Sequence, residues 1–458
     1  MASIALGQMR RRPASFAGLA VALFLAVATL TLFGSLMAAD GTARPGPGRA
    51  ADGPGLMVIA GVFGEIAVLV SFFVVVNTLG FALAQQYRDV ALLRTIAATP
   101  RQARRMVRGQ VAATTLLVAA PGWAVGWVAA RRFLTELQRR GMAAPQARVP
   151  WTPVATVVGP VTLAVVLAVG LVAAAVAARR ISRIAPAAAL TASSTEHGRT
   201  GVVRLVAGAG VLVGGGLLLR LAATRPPGEA DKAGQAALLG SVVLLFAVAL
   251  LGPFVARVLA AVLGAPARAL APGAGWLADA NLRGYARRLS SAVVPVALLV
   301  GLSGTMVIMT STAEHSAAAA TTGATSATDV WLRQAELTML ACFAAVSTVN
   351  TLIAVTADRR REFALLRLVG ATRVQLMRML TAEAILTTAV GVLLGAAVAA
   401  AATAAFSTAL TGSPLPYVRP ATAAWIVAGA ATLTVPGILA TGLRAVRGPA
   451  AELAGGRD

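Results

Sequence analysis

The segment VNTLIAVTADRRREFALLRLVGATRVQLMRM, residues 349–379, decides how this chain is built, because a close copy, VNTLGFALAQQYRDVALLRTIAATPRQARRM, occupies residues 76–106. The two align without a gap at an offset of 273 residues. Identical pairs include Asn77/Asn350, Arg88/Arg361, Leu92/Leu365, Leu93/Leu366, Arg94/Arg367, Thr99/Thr372, Gln102/Gln375 and Arg105/Arg378. Many of these are polar, so shared apolarity does not account for the match. Both copies read alike: an apolar run ends, a short amphipathic stretch follows, and a new helix begins. In the first copy Val90, Leu93, Ile96 and Ala97 fall on one side of that stretch, with Arg88 and Asp89 elsewhere. Thr99-Pro100-Arg101-Gln102 then spells a capping box, with threonine at N-cap, proline at the first helical position and glutamine at N3. Thr372 and Gln375 repeat the box, and Gly370 supplies the turn that ends the preceding short helix. The product is a rigid strut clamped between two longer helices. Leu93 and Leu366 hold equivalent places on it, with no intrachain core evident for them, so both are expected to anchor another protein.

The repeat reaches further at other offsets. Arg11-Arg12-x-x-Ser15 matches Arg287-Arg288-x-x-Ser291, and Pro186-Ala-Ala-Ala-Leu190 matches Pro449-Ala-Ala-Glu-Leu453. The chain is therefore read as a first unit at 1–192, a linker at 193–274 and a second unit at 275–458.

Composition says what surrounds these units. Of 458 residues, 58% are hydrophobic and only 12% charged, with mean hydropathy +0.79. Soluble domains carry about 25% charged residues, so the chain is read as an all-α polytopic membrane protein. Ten stretches approach the roughly 20 apolar residues that a bilayer requires: 15–39, 56–84, 109–130, 153–178, 205–223, 236–262, 291–312, 337–357, 381–404 and 421–443. That gives two four-helix units joined by two linking helices. The first stretch follows Arg10, Arg11 and Arg12 but has an apolar region longer than the 7–15 residues of a signal peptide, and is read as a retained helix. The net charge of +23 would suggest nucleic acid in a soluble protein. Here the basic residues lie between apolar runs and set orientation instead. With the N-terminus inside, 28 of the 40 basic residues fall on the cytoplasmic side, which places both termini there in the cell membrane. The matching arginine-rich loops share that side, so the units are parallel, as an even number of linking helices requires. One loop dissents: Arg131, Arg132, Arg139, Arg140 and Arg148 fall outside, and a short interfacial helix lying on anionic lipid is expected there. No loop offers the 50 or so residues of a folded extracytoplasmic domain.

Chemistry is sparse. The single Cys342 allows no internal disulfide, and His197 and His315 have no neighbours at ligand spacing, so no metal site and no catalytic residue is assigned. No G-x-x-x-x-G-K-[ST] occurs, so any ATP is bound by a separate chain and no cofactor is expected on this one. An ion-coupled secondary transporter would bury ionisable groups at mid-membrane. Glu65 and Glu383 are the candidates, and their places near the ends of apolar stretches suit snorkelling or capping better.

The pattern R-[DE]-x-A-L-L-R-x-x-[AG]-A-T-x-x-Q, with the flanking spans and the terminal Pro-Ala motif, resembles the FtsX-like (MacB-like) permeases of ABC transporters. The resemblance covers both four-helix units. In that family this loop is a coupling helix that docks on the ATPase. By that likeness Arg88, Asp89, Leu92, Leu93, Arg94 and Ile96 form one docking surface, and Arg361, Glu362, Leu365, Leu366, Arg367 and Val369 the other. Thr99, Gln102, Thr372 and Gln375 cap the helices that follow. The implied partner is an ABC ATPase, two copies per chain, beside membrane lipid, and the implied activity is export or extraction of a lipophilic substrate. An FtsX-type mechanical transmitter that moves an external partner is the reading within the same fold. Two departures stand out: residues 40–54 and 313–335 are short where relatives carry large external domains.

Overall fold

The computed structural model describes residues 13–42, 56–85, 99–182, 202–270, 286–316 and 360–446, with parts of 331–349. Helices make up nearly all of it, with no strand among the described residues. In chain order they are α1 (Pro13–Asp40), α2 (Leu56–Gln85), α3 (Pro100–Arg139), α4 (Gly159–Ser182), α5 (Val202–Ala223), α6 (Ala230–Leu270), α7 (Ala286–His315), the short α8 (Arg360–Leu368), α9 (Arg373–Thr411) and α10 (Pro420–Val446). Among the described residues nine are long and apolar enough to cross a membrane. The stretch expected at 337–357 lies largely outside them, although 345–349 are helical. The protein is thus an all-α, polytopic membrane protein.

α1–α4, with Trp331 and Leu332, form one compact unit, and α5–α10 form a second. In the first, α1 is central and packs on α2, α3 and α4. Small residues on α3 set the closeness of the α1–α3 crossing. A β-carbon on Gly122 would lie 2.9 Å from Val27 Cγ1, and one on Gly126 2.7 Å from Thr31 Cβ. Such pairs let helix backbones approach, which is how helices associate where lipid offers no hydrophobic drive. At the end of this unit away from the start of α3, the Thr42 hydroxyl bonds with the backbone of Arg148, ahead of α4.

α3 corrects one expectation. No separate interfacial helix occupies 131–148; α3 runs on without a break to Arg139, 40 residues in all. Residues 128–139 hold neither glycine nor proline to interrupt it. It stops at Gly141, φ +76°, where the Met142 N–H reaches the Leu137 carbonyl over a buried Leu137–Met142 pair. Two of the five arginines there are paired: Glu136 holds Arg139 and Arg140, and Arg140 also lies over Trp331. Ahead of α4, Trp151–Pro153 leads through a π-helical turn, Val154–Val158. Pro160 cannot donate to the Thr156 carbonyl and its ring would crowd it; the wider turn relieves this.

In the second unit α9 is central, touching α5, α6, α7 and α10. A β-carbon on Gly395 would lie 2.8 Å from both the Ala297 carbonyl and Val300 Cβ. These are the positions of the first unit's crossing moved by 273: Gly122 to Gly395 and Val27 to Val300. At the next contact the sizes exchange. Thr31 faces Gly126 in the first unit, whereas Gly304 faces Ala399 in the second. The loop before α10 is strapped to the end of α7: Ser311 donates to the Tyr417 carbonyl, the Tyr417 N–H donates to Thr312, and Arg419 pairs with Glu314. His315 stacks on Tyr417 at 3.8 Å.

α5 and α6, expected as a linker, pack within this second unit. The glycines of α5 explain how: a β-carbon on Gly208 or Gly215 would strike Leu251 or Leu244 of α6. Pro253 in α6 leaves the Ala249 carbonyl without its helical N–H. Arg204 of α5 supplies the donors, to Ala249 O at 2.9 Å and to Leu250 O at 2.7 Å. In the turn between them Arg225 and Lys232 clasp Glu229, and the Lys232 hydrogen bond holds its carboxyl below the ordinary range.

Candidate functional site

The nine-residue α8 is made by its ends as much as by its sequence. Its C-terminus closes at Gly370, φ +102°, a conformation that glycine adopts without a β-carbon penalty. The Ala371 N–H reaches back to the Leu366 carbonyl at 2.9 Å and the Gly370 N–H to Arg367 at 3.1 Å, a Schellman arrangement. Its usual hydrophobic contact is present, because Leu366 and Ala371 pack on the same cluster. Two residues on, α9 starts from its capping box. The Gln375 N–H donates to Thr372 Oγ1 at 3.2 Å and the Thr372 N–H to Gln375 Oε1 at 2.9 Å. α3 starts the same way, with Thr99 and Gln102 exchanging bonds of 2.8 and 3.3 Å. α8 and α9 are thereby joined by a corner in which every turn of backbone is tied.

The two faces of α8 differ sharply. Phe363 and Ala364 are 1% exposed, and Phe363 sits in a cluster with Leu376, Met379 and Leu380 of α9, against which Leu439 of α10 also packs. The opposite face is apolar yet open: Leu365 is 48%, Leu368 58% and Val369 89% exposed. Leu366, expected as an outward anchor, is turned inward onto the Phe363 cluster. Arg367 is half-buried and engaged, and Arg361 and Glu362 lie on the first turn of α8. Arg88, Asp89, Leu92, Leu93, Arg94 and Ile96 fall outside the described residues. The sequence reading missed Leu368 and Phe363. Helical spacing held the signal: 363 and 366 share one face, and 365, 368 and 369 share the other.

The first two turns of α3 add a basic row, Arg101, Arg104, Arg105 and Arg108, at i, i+3, i+4 and i+7. It crowds positive charge on the positive end of the helix dipole, which costs stability unless an anionic surface lies near. Glu65, weighed as an ion-coupling group, lies on the exposed flank of α2. Among the described residues no group of His, Cys, Asp or Glu could hold a metal ion.

The short α8 thus makes a corner with one apolar face locked and one open, within a bundle of membrane-length helices. The FtsX-like permease C-terminal family matches the chain twice, over residues 61–186 and 336–449, and the chain belongs to that family. The two matches cover both copies of the corner sequence. No functionally curated protein matches the chain.

Proposed function

We propose that this chain is the transmembrane subunit of an ABC transporter, driven by a separate ATPase. The observation that carries the reading is the open apolar face of α8, Leu365, Leu368 and Val369, on a helix whose other face is locked to α9 and α10 through Phe363. Exposed apolar groups on a helix held outside the bilayer favour a protein partner. A push on that face passes from Phe363 to Leu376 and Leu380, along α9, and into α7 where the helices cross at Gly395. The copy at 86–98 supplies a second docking surface, in which Leu92, Thr95 and Ile96 are the sequence equivalents of Leu365, Leu368 and Val369 at the 273-residue offset. Two ATPase subunits therefore bind one chain. The corner and both termini face the cytoplasm of the cell membrane, and the chain itself is not catalytic, as is general in the family. With only short external loops, what it exports or extracts meets the helices from the lipid. The test is co-purification of an ABC ATPase from the source cell's membranes with wild type and with Leu365→Asp/Val369→Asp. Full ATPase recovery by the variant at normal expression sinks the proposal.

A further inference from the structure

Within the first unit, α1, α3 and the approach to α4 form an open groove with room for about 240 Å³, lined by Val27, Thr31, Trp123, Ala155, Gly159 and Leu163, among others. Its walls are apolar, but Thr31 is fully buried and its hydroxyl has no hydrogen-bond partner. The indole N–H groups of Trp123 and, one turn on, Trp127 are also unpartnered. Trp151 stands edge-on to both, with ring centres 5.1 and 5.2 Å away. The Arg131 guanidinium lies 4.9 Å from the centre of the Trp127 ring. From Trp123 to Arg131 is eight residues of α3, about 12 Å. The sequence of surfaces is therefore apolar cleft, then indole donors, then a cation. A buried polar group without a partner costs about 1–3 kcal/mol, so Thr31 and Trp123 in the lining, with Trp127 one turn beyond it, ask for an occupant. Indole and guanidinium groups only donate, so the occupant must bring acceptors and negative charge.

We propose that this cleft binds an anionic phospholipid, with one acyl chain in the groove, ester oxygens at the indole N–H groups and the phosphate at Arg131. The volume falls below the 300–1,000 Å³ typical of a whole small-ligand pocket, which suits a single chain. The second unit confirms that helix packing alone does not produce the feature. At the offset that aligns the helix crossings, Trp123, Trp127, Arg131 and Arg132 become Ala396, Ala400, Ala404 and Ala405, and Thr31 becomes Gly304. The repeats agree where helices touch and part at this surface. The site deepens the lipophilic-substrate reading above and rests on it for its role, but binding is measured on the permease alone.

The experiment uses the full chain with Trp276→Phe, Trp331→Phe and Trp425→Phe, which leaves the three clustered tryptophans as reporters. It is placed in phosphatidylcholine nanodiscs containing either brominated phosphatidylglycerol or brominated phosphatidylcholine at equal fraction. Phosphatidylglycerol should quench with a preference of roughly fivefold in apparent affinity, given the attraction of one arginine for anionic lipid. Arg131→Gln should remove the preference, Arg131→Lys should restore most of it, and Arg132→Gln, on the opposite side of α3, should leave it unchanged. Ala155→Leu, which fills the groove, should lower quenching by both lipids. Equal quenching by the two lipids, or a preference that survives in Arg131→Gln, overturns the proposal. A preference retained in Leu365→Asp/Val369→Asp, where ATPase docking is lost, supports the lipid site independently of the coupling reading.

Discussion

At Leu365 and Leu366 adjacent leucines have opposite duties. Leu366 closes the Schellman turn and rests on Phe363, whereas Leu365 faces out with Leu368 and Val369. Leu365→Asp and Val369→Asp should each weaken ATPase binding by about 2 kcal/mol or more, as interface anchors do, which is roughly 30-fold in affinity. Expression and thermal stability should hold, and the check is ATPase co-purification set beside a melting curve. Leu366→Asp should instead lower the melting temperature, because it puts a charge against the apolar cluster of α8 and α9. The sequence made the strut, its caps and its leucines legible, because Thr372, Gln375 and Gly370 act through local backbone geometry. It did not reveal which leucine turns inward, since that is fixed by Leu376, Met379, Leu380 and Leu439, three of them on α9 and one on α10.

The elements stop where local chemistry allows and meet where small residues allow. Gly370 at φ +102° holds the corner between α8 and α9. Gly370→Ala should cost about 1–3 kcal/mol of local stability, the usual range for a strained backbone, and should show as faster hydrogen exchange in 360–371 with α9 unchanged. Gly395→Leu should cost more, above the usual overpacking range of about 1–3 kcal/mol, because the atoms in its way include the Ala297 carbonyl and the Gly301 backbone nitrogen, which cannot swing aside; loss of folded protein in detergent is the measurement. α3 is the instructive element. Its apolar core was legible as a span, but hydropathy stops counting where arginines begin, so the helix continuing through Arg131 and Arg132 was not. Helix propensity, with no glycine or proline before Gly141, was the better guide there. The packing of α5 and α6 inside the second unit was equally hidden, because it depends on which leucines of α6 fill the spaces beside Gly208 and Gly215.

For the whole molecule, the proposed function predicts two ATPase subunits, one for each corner sequence in the chain. Native mass spectrometry of the complex should show one permease with two ATPases; two permeases with two ATPases would mean that each chain supplies a single working corner. Orientation is checked with Cys342→Ala as background and single cysteines at Thr95 and Leu368. Both should be refractory to an impermeant reagent added outside intact cells and reactive after permeabilisation.

The crossing at Gly395 also bears on how α9 would move under the proposed coupling. About 33 Å of helix lies between Arg373 and this contact and about 24 Å beyond it, at 1.5 Å per residue. Turned as a rigid rod about this close contact, α9 would be a lever with unequal arms, in the ratio of about 0.7. A displacement of about 2 Å at the corner, a common size for helix shifts, would emerge at the far end as about 1.5 Å in the opposite direction, with travel given up and force gained.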